Sequence, residues 1–212
     1  LNKLVLSRID QLDDKLKHIL QRASVIGRHF HYHTLQTLQQ KLNDHVPLDH
    51  LLAELISHNF IQPNPIEKDT YVFRHVITQE VAYNTILFSN KKILHSLIAE
   101  IIEENYTENK SDLLYELAYH YDKAENYNKA VHYLGIAAEK AKEEYNNEVA
   151  LNQFKRLLKH IENANYFGAI SNNFPSCYLT TSNYQTMPKM ALISKYSYKS
   201  SSSKFSQCIY RF

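Results

Sequence analysis

Glycine is scarce in this sequence. Only Gly27, Gly135 and Gly168 occur among its 212 residues, whereas an average protein contains about 7% glycine. A loop that holds a phosphate on consecutive backbone N–H groups needs clustered glycines, and these three lie far apart. The sequence therefore predicts no nucleotide-binding loop of its own. It also contains no recognisable pairing of a nucleophile with a base, so we expect a chain that is not an enzyme and holds no cofactor.

Cysteines and long hydrophobic runs are also scarce. Cys177 and Cys208 lack the spacing of a metal or redox motif, and we expect two reduced thiols in a cytoplasmic protein. The uncharged stretch 163–188 contains twelve Asn, Ser, Thr or Gln residues, which makes it too polar for a membrane span. No signal peptide is recognisable at Leu1. We therefore expect a piece of a longer cytoplasmic protein without a membrane partner.

The first three quarters of the sequence show helical periodicity. Apolar residues recur at helical spacing within residues 12–23, 48–56 and 93–102, which predicts three amphipathic helices. Pro47 suits the first turn of the second helix. Ser89 or Asn90 is the expected N-cap of the third.

Residues 60–73 interrupt this pattern. Two short β-prone runs, residues 60–62 and 71–73, are joined by a segment that contains Pro63, Asn64 and Pro65, which predicts a β-hairpin. Three helices followed by a small hairpin is the pattern of a winged helix. We therefore predict a mainly α fold that begins with a winged-helix domain at residues 1–88.

Helical hairpins are predicted for residues 89–164. Six residues fit the 34-residue tetratricopeptide pattern, namely Leu117, Ala118, Tyr121, Ala130, Leu134 and Ala137. A second unit is indicated at residues 145–161. Such repeats present a surface for peptides or neighbouring domains, which makes Tyr115, Tyr119 and Tyr127 candidate protein-binding residues. Packing between helices is the alternative for these tyrosines, and we favour it for Tyr121.

The last part of the sequence has a different composition. Residues 165–212 contain ten serines and no acidic residue, whereas residues 1–164 contain 22 acidic and 19 basic residues. We predict a disordered or aberrantly translated tail. A partner-binding tail anchored by tyrosines is the alternative.

One block of sequence is more specific than the periodicity. It comprises Phe73-Arg74-His75, Gln79-Glu80-Val81-Ala82-Tyr83 and Leu94-His95, and it is preceded by the segments 8–12 and 23–30. Together these segments resemble the region that follows the ATPase core of AAA/STAND signal-transduction ATPases, especially those fused to adenylate or guanylate cyclases of the soluble adenylyl cyclase type. In that family a winged helix and tetratricopeptide-like repeats follow the ATPase. The resemblance covers about residues 4–161 and implies a regulatory, non-catalytic piece of a protein that binds ATP and ADP.

The resemblance also implies a role for His75 and Arg74. In STAND ATPases a winged-helix His at the end of the wing strand donates a hydrogen bond to the β-phosphate of ADP and holds the closed state. His75 occupies this position beside Arg74, although Val76 stands where relatives usually carry Asp. Capping of the next helix, or packing between strand and helix, is the alternative role of His75. The expected partner is an upstream ATPase domain in the same chain.

Two other functions receive less support from the sequence. His29, His31 and His33 would share one side of an extended segment, but no carboxylate or cysteine lies nearby in the sequence. We predict a polar loop there that enters a helix at Thr34, and no metal site. DNA binding is the other alternative, but the helix expected at residues 48–59 carries acidic residues and no Lys or Arg. Since duplex binding depends on basic residues, we predict no nucleic-acid partner.

Overall fold

The computed structural model describes residues 2–44, 46–104 and 111–163. The elements, in chain order, are α1 (Asn2–Asp10), α2 (Asp14–Ile26), β1 (His29–His31), α3 (Tyr32–Lys41), α4 (Leu48–Ser57), β2 (Ile61–Pro63), β3 (Thr70–Phe73), α5 (Val76–Asn84), α6 (Phe88–Glu104), α7 (Ser111–Lys123), α8 (Tyr127–Glu143) and α9 (Asn147–Asn163). These ranges are mainly helical and contain one small sheet, as predicted. None of the helices in the described ranges has the length and apolar character needed to cross a membrane.

The residues that the structure describes divide into two compact units, one that ends at Asn126 and one that begins at Tyr127. The first unit contains α1 to α7 and the sheet, and the second contains α8 and α9. The domain boundaries predicted at residues 88 and 164 stay predictions. The predicted tail, residues 165–212, lies outside the described residues, as do Cys177 and Cys208.

The sheet has three antiparallel strands in the order β1-β3-β2. The hairpin predicted from the sequence is confirmed, since Ile61 of β2 pairs with Phe73 of β3. The predicted polar loop at residues 29–33 is wrong, because residues 29–31 form β1 and α3 begins at Tyr32 rather than Thr34. Phe30 explains the difference: its side chain is buried, and its ring lies 5.8 Å from that of Tyr71 on β3.

Residues near the start of a helix determine where α2, α4 and α6 begin. The Asp13 carboxylate accepts a hydrogen bond from the Lys15 amide at 3.2 Å, which caps α2. Pro47 was predicted in the first turn of α4, but it is the N-cap residue, one position before that turn. The expected N-cap of α6 is wrong: Ser89 and Asn90 lie inside the first turn, because the Lys91 amide already donates to the Leu87 carbonyl at 2.9 Å.

The core of the first unit consists of the apolar faces of its helices packed around one face of the sheet. The most buried members are Ile9, Leu20, Ala23, Phe30, Leu35, Leu52, Leu55, Ile61, Phe73 and Ala82. Leu20, Ala23, Leu52 and Leu55 belong to the helices predicted at residues 12–23 and 48–56, and Phe30, Ile61 and Phe73 to the three strands. Ile9, Leu35 and Ala82 lie in α1, α3 and α5, which the periodicity did not predict. The core therefore holds the sheet rigidly against α2, α4 and α5.

The helices beyond residue 104 also bury the positions that the repeat pattern selected. In α7, Leu117, Ala118 and Tyr121 are buried, and the Tyr121 hydroxyl donates to the Glu103 carboxylate of α6. The packing role favoured for Tyr121 is therefore confirmed. In the second unit, α8 packs against α9 and buries Ala130, Leu134 and Ala137. The pairing of these helices into tetratricopeptide-like repeats stays a prediction.

Candidate functional site

The strand register brings three separate segments together at one end of the sheet. The Phe73 amide donates to the Arg28 carbonyl at 3.0 Å, and the Arg74 amide donates to the Phe60 carbonyl at 3.1 Å. The residues that precede β1, precede β2 and follow β3 therefore lie side by side. The loop that joins β2 to β3 lies at the opposite end, because Pro63 pairs with Tyr71 there.

Arg74 follows β3 at this end and its side chain is exposed. Its Nη1 donates to the side-chain oxygen of Asn59. Asn59 has a left-handed backbone, with φ of 59°, which asparagine adopts more readily than most residues. The turn after α4 therefore aims a neutral acceptor at the guanidinium of Arg74 without neutralising its charge.

His75 is the N-cap residue of α5, and its side chain makes no capping hydrogen bond. Its backbone is extended, with φ of −131° and ψ of 135°, and its side chain is exposed. His75 thus occupies the N-cap position of α5, as one alternative expected, but only its backbone carbonyl takes part in the cap. Burial of the imidazole between strand and helix, the other alternative, is wrong, because the side chain is exposed. It projects into solvent beside the first turn of α5, where backbone N–H groups lack intrahelical partners.

Two further arginines, which the sequence alone did not mark as site residues, lie at the same end of the sheet. Arg8 in the last turn of α1 donates from Nη2 to the His58 carbonyl at 2.7 Å, and its guanidinium carbon lies 4.8 Å from the centre of the Phe60 ring. Arg28 is exposed immediately before β1. We call Arg8, Arg28, Arg74 and His75 the basic end. Both arginines lie inside the segments that carry the family resemblance. Their position beside Arg74 depends on the pairing of the strands, which nearby residues in the sequence do not reveal.

The charge of the basic end is not compensated. Among the described residues, none of the ion pairs includes Arg8, Arg28 or Arg74, whereas Lys17 pairs with Asp10 and Arg22 with Asp44. An exposed group of like charges attracts anions. Arginine is the side chain that most often binds phosphate and carboxylate groups in proteins.

The three histidines considered as metal ligands are dispersed. His29 and His31 share the exposed face of β1, but His33 lies on α3. The ring of His31 is engaged, with Nδ1 at 2.9 Å from the Thr70 hydroxyl. Across the described ranges, no group of three or more His, Cys, Asp or Glu is arranged to hold a metal ion.

The chain also contains a buried pair of histidines, His95 of α6 and His120 of α7. Their Nδ1 atoms lie 2.8 Å apart, and Nε2 of His95 lies 3.0 Å from the Tyr83 hydroxyl. A hydrogen bond between two Nδ1 atoms needs one donor and one acceptor, so both rings can be neutral in opposite tautomers. Burial lowers the pKa of His95 to about 4 and that of His120 to about 3. Nearby Lys123 and Lys91 lower the first further, and His95 lowers the second.

The candidate protein-binding tyrosines are partly exposed and partly packed. The Tyr119 ring is 40% exposed and meets those of His95 and His120 edge-on at 5.7 and 5.3 Å. Tyr115 on the same helix is half-buried. In the second unit, Tyr127 is 37% exposed and its ring lies 5.5 Å from that of His160. Their role in protein binding stays a prediction.

An open groove of about 350 Å³ lies between α2 and α6. Its lining residues include His18, Gln21, Arg22, Ile86, Asn90 and Ile93. Its main charge is compensated, because Arg22 bonds Asp44 at 2.5 Å and thereby lowers the pKa of that carboxyl. The groove therefore attracts charged ligands less than the basic end does.

Comparison with known proteins adds no identification: no protein-family model, no curated protein and no solved structure matches this chain.

Proposed function

We propose that this chain is a non-catalytic regulatory piece of a larger ATP-dependent signalling protein of the cyclase-associated ATPase type. In this proposal the first unit contains a winged helix that senses the nucleotide state of an upstream ATPase domain. The order α2, β1, α3, α4, β2, β3 supports the winged helix, since it places three helices before a hairpin and adds a third strand to the sheet. The helices that follow serve as a docking surface for a protein or inducer.

The observation that carries the proposal is the state of His75. A residue that senses a phosphate on another domain must have an exposed side chain, must keep its hydrogen-bonding atoms available, and must have a fixed backbone position. His75 is exposed at the start of α5, makes no capping bond, and adjoins Arg74, whose guanidinium is fixed by Asn59. Contact of His75 with a phosphate in only one conformation would bias the protein toward that conformation.

The test is the ADP affinity of the longer protein that carries this chain behind its ATPase core. A hydrogen bond to a charged group contributes about 1.5–3 kcal/mol, so His75→Ala should weaken ADP binding by about tenfold or more. The matched control is His33→Ala, an exposed histidine on α3, which should leave the affinity unchanged. An equal ADP affinity for the wild-type protein and the His75→Ala variant would show that the sensor assignment is wrong.

A protein-interaction scaffold is the second candidate function, and it is compatible with the first. The partial exposure of Tyr119 and Tyr127 favours it, because tyrosine is enriched at protein interfaces relative to the rest of the surface. Tyr127→Ser should weaken capture of a protein partner without unfolding α8 and α9.

DNA recognition by the winged helix is the less favoured alternative. The helix that would enter the groove, α4, carries Asp49 and Glu54 and neither Lys nor Arg. Duplex binding driven by phosphate contacts would fall steeply as salt is raised. A steep salt dependence with random duplex DNA would therefore revive this alternative.

A further inference from the structure

The contact between α6 and α7 differs from the core around the sheet. The buried apolar residues of that core lie between Val5 and Ala82, and none of the described residues of α7 belongs to it. Instead α7 packs against α6, and this contact contains His95 and His120 as well as apolar side chains. Release of α7 from α6 would therefore leave the core around the sheet intact.

The two histidines of this contact are almost completely buried, since His95 is 0% exposed and His120 is 2% exposed. Their Nδ1 atoms lie 2.8 Å apart, so one ring must accept the proton that the other donates. A single added proton places a positive charge in a buried site, and a second leaves two N–H groups that face each other without an acceptor. The packed arrangement is therefore compatible with two neutral rings and not with two charged ones.

The groups that face the histidine pair do not compensate a positive charge. The Tyr83 hydroxyl of α5 bonds one imidazole, and the Tyr119 ring of α7 meets both imidazoles edge-on. Of the charged side chains nearby, Lys123 of α7 and Lys91 of α6 disfavour a charged imidazole, and Asp122 of α7 favours it more weakly. Burial acts in the same direction as the lysines and is the largest cause of the low pKa of both rings.

We propose that the contact between α6 and α7 is an acid-sensitive switch, in which protonation of His95 and His120 releases α7 while the core around the sheet stays folded. Released histidines are exposed to water and bind protons near pH 6.5, whereas the packed pair excludes protons until the pH is much lower. Opening therefore takes up two protons, and it becomes more favourable as the pH falls below 6.5.

The switch has a consequence for the rest of the chain. Helix α7 is the last helix before Tyr127, at which the second unit begins. Its release would leave the second unit attached to α6 only through an unpacked segment, so the pH would control this attachment. The inference goes beyond the proposed function, because it involves neither His75 nor a nucleotide.

The experiment is native-state hydrogen exchange of the 212-residue chain, followed by NMR at a series of pH values and corrected for the pH dependence of the exchange chemistry. Two histidines that titrate near pH 6.5 only when released should raise the opening constant of the α7 amides by about 50- to 100-fold between about pH 7 and pH 5.5. The amides of Leu20 and Leu52, in the core around the sheet, should show a much smaller rise. An equal rise in α7 and in that core would mean that acid unfolds the whole unit, and it would overturn the proposal.

Two single variants test whether the histidines are the cause. His95→Gln keeps a polar group within reach of the Tyr83 hydroxyl, and His120→Asn keeps one near the position of Nδ1, but neither replacement titrates. With one histidine left, the rise of the opening constant over the same pH range should be only about 8-fold. His50→Asn changes an exposed histidine of α4, and this matched control should keep the full rise.

The outcomes also separate the histidines from a neighbouring carboxylate. The Tyr121 hydroxyl donates to the Glu103 carboxylate in the same contact, and protonation of that carboxyl would weaken the bond in acid. A full rise in both histidine variants would assign the acid response to Glu103 and overturn the proposal. A rise that falls to about 8-fold in each variant, with an unchanged control, supports it. Because no nucleotide is present, failure of the switch leaves the test of His75 untouched.

Discussion

The basic end and the histidine pair place the same side chain in opposite environments. His75 is exposed beside uncompensated arginines, whereas His95 and His120 are buried and bonded to each other. Burial makes the charged imidazole unfavourable, and the pKa values of both buried rings fall well below 6.5. Because the His75 side chain is exposed, a ligand could contact it with little change in the free energy of folding. The buried pair contributes to the packing of α6 against α7, whereas the exposed imidazole of His75 contributes no such packing.

The pH dependence of folding stability should show the difference between the two environments most strongly. The unfolded chain binds protons at His95 and His120 near pH 6.5, whereas the folded chain binds them only near pH 4 and pH 3. The unfolded state therefore binds more protons within this window, and stability falls as the pH is lowered from 6.5 toward 4. Each histidine contributes a slope of about 1.4 kcal/mol per pH unit. Urea unfolding at a series of pH values measures the slope.

The variant His120→Asn isolates this contribution from that of the carboxylates. Asparagine places a polar atom near the position of Nδ1 but does not titrate, so the slope should decrease by about 1.4 kcal/mol per pH unit. Gln62→Asn, an exposed change on β2 that removes no titratable group, is the control and should leave the slope unchanged. Identical slopes for the wild type and His120→Asn would mean that the buried pair is not neutral in the folded state.

Removal of one member of the pair at neutral pH should have the next largest effect. His95→Leu deprives buried His120 of its hydrogen bond, and an unsatisfied buried polar group costs about 1–3 kcal/mol. We expect a loss in the free energy of unfolding of about 2 kcal/mol by chemical denaturation. His75→Leu serves as the comparison, because its imidazole contacts solvent. Equal losses for the two variants would contradict the distinction between buried and exposed histidines.

Gly27 ends α2 and immediately precedes Arg28 of the basic end. Its backbone has φ of 154° and ψ of −173°, a region that is essentially restricted to glycine and costs other residues about 1–3 kcal/mol. An added Cβ would lie 3.4 Å from the His29 carbonyl oxygen, at the edge of ordinary van der Waals contact, so the backbone conformation is the main cost. Gly27→Ala should therefore destabilise the chain by about 1–3 kcal/mol in denaturant unfolding. A variant as stable as the wild type would show that the turn before β1 tolerates an ordinary residue.

The sequence revealed local features of this fold but few of the contacts between distant segments. The amphipathic helices and the β2–β3 hairpin were predictable, because each depends on residues that lie close together in the sequence. Strand β1 was missed, since three residues are too short for alternation to be seen and its partner lies about 40 residues away. For the same reason Arg74 and His75 were found from a motif, whereas their convergence with Arg8 and Arg28 depends on strand register. The pairing of His95 with His120, which joins α6 to α7, likewise leaves no pattern among neighbouring residues of the sequence.

The smallest expected effect on folding belongs to the basic end. Arg28→Gln and His75→Ala remove exposed side chains that make no hydrogen bond or ion pair within the described residues, and such substitutions usually change stability by less than about 0.5 kcal/mol. Removing one of several like charges also relieves repulsion, so Arg28→Gln should be neutral or slightly stabilising. Thermal unfolding measures both variants, with Lys68→Gln as the control. A marked loss of stability in either variant would mean that the basic end holds the fold together, and its uncompensated charge would then no longer indicate a ligand.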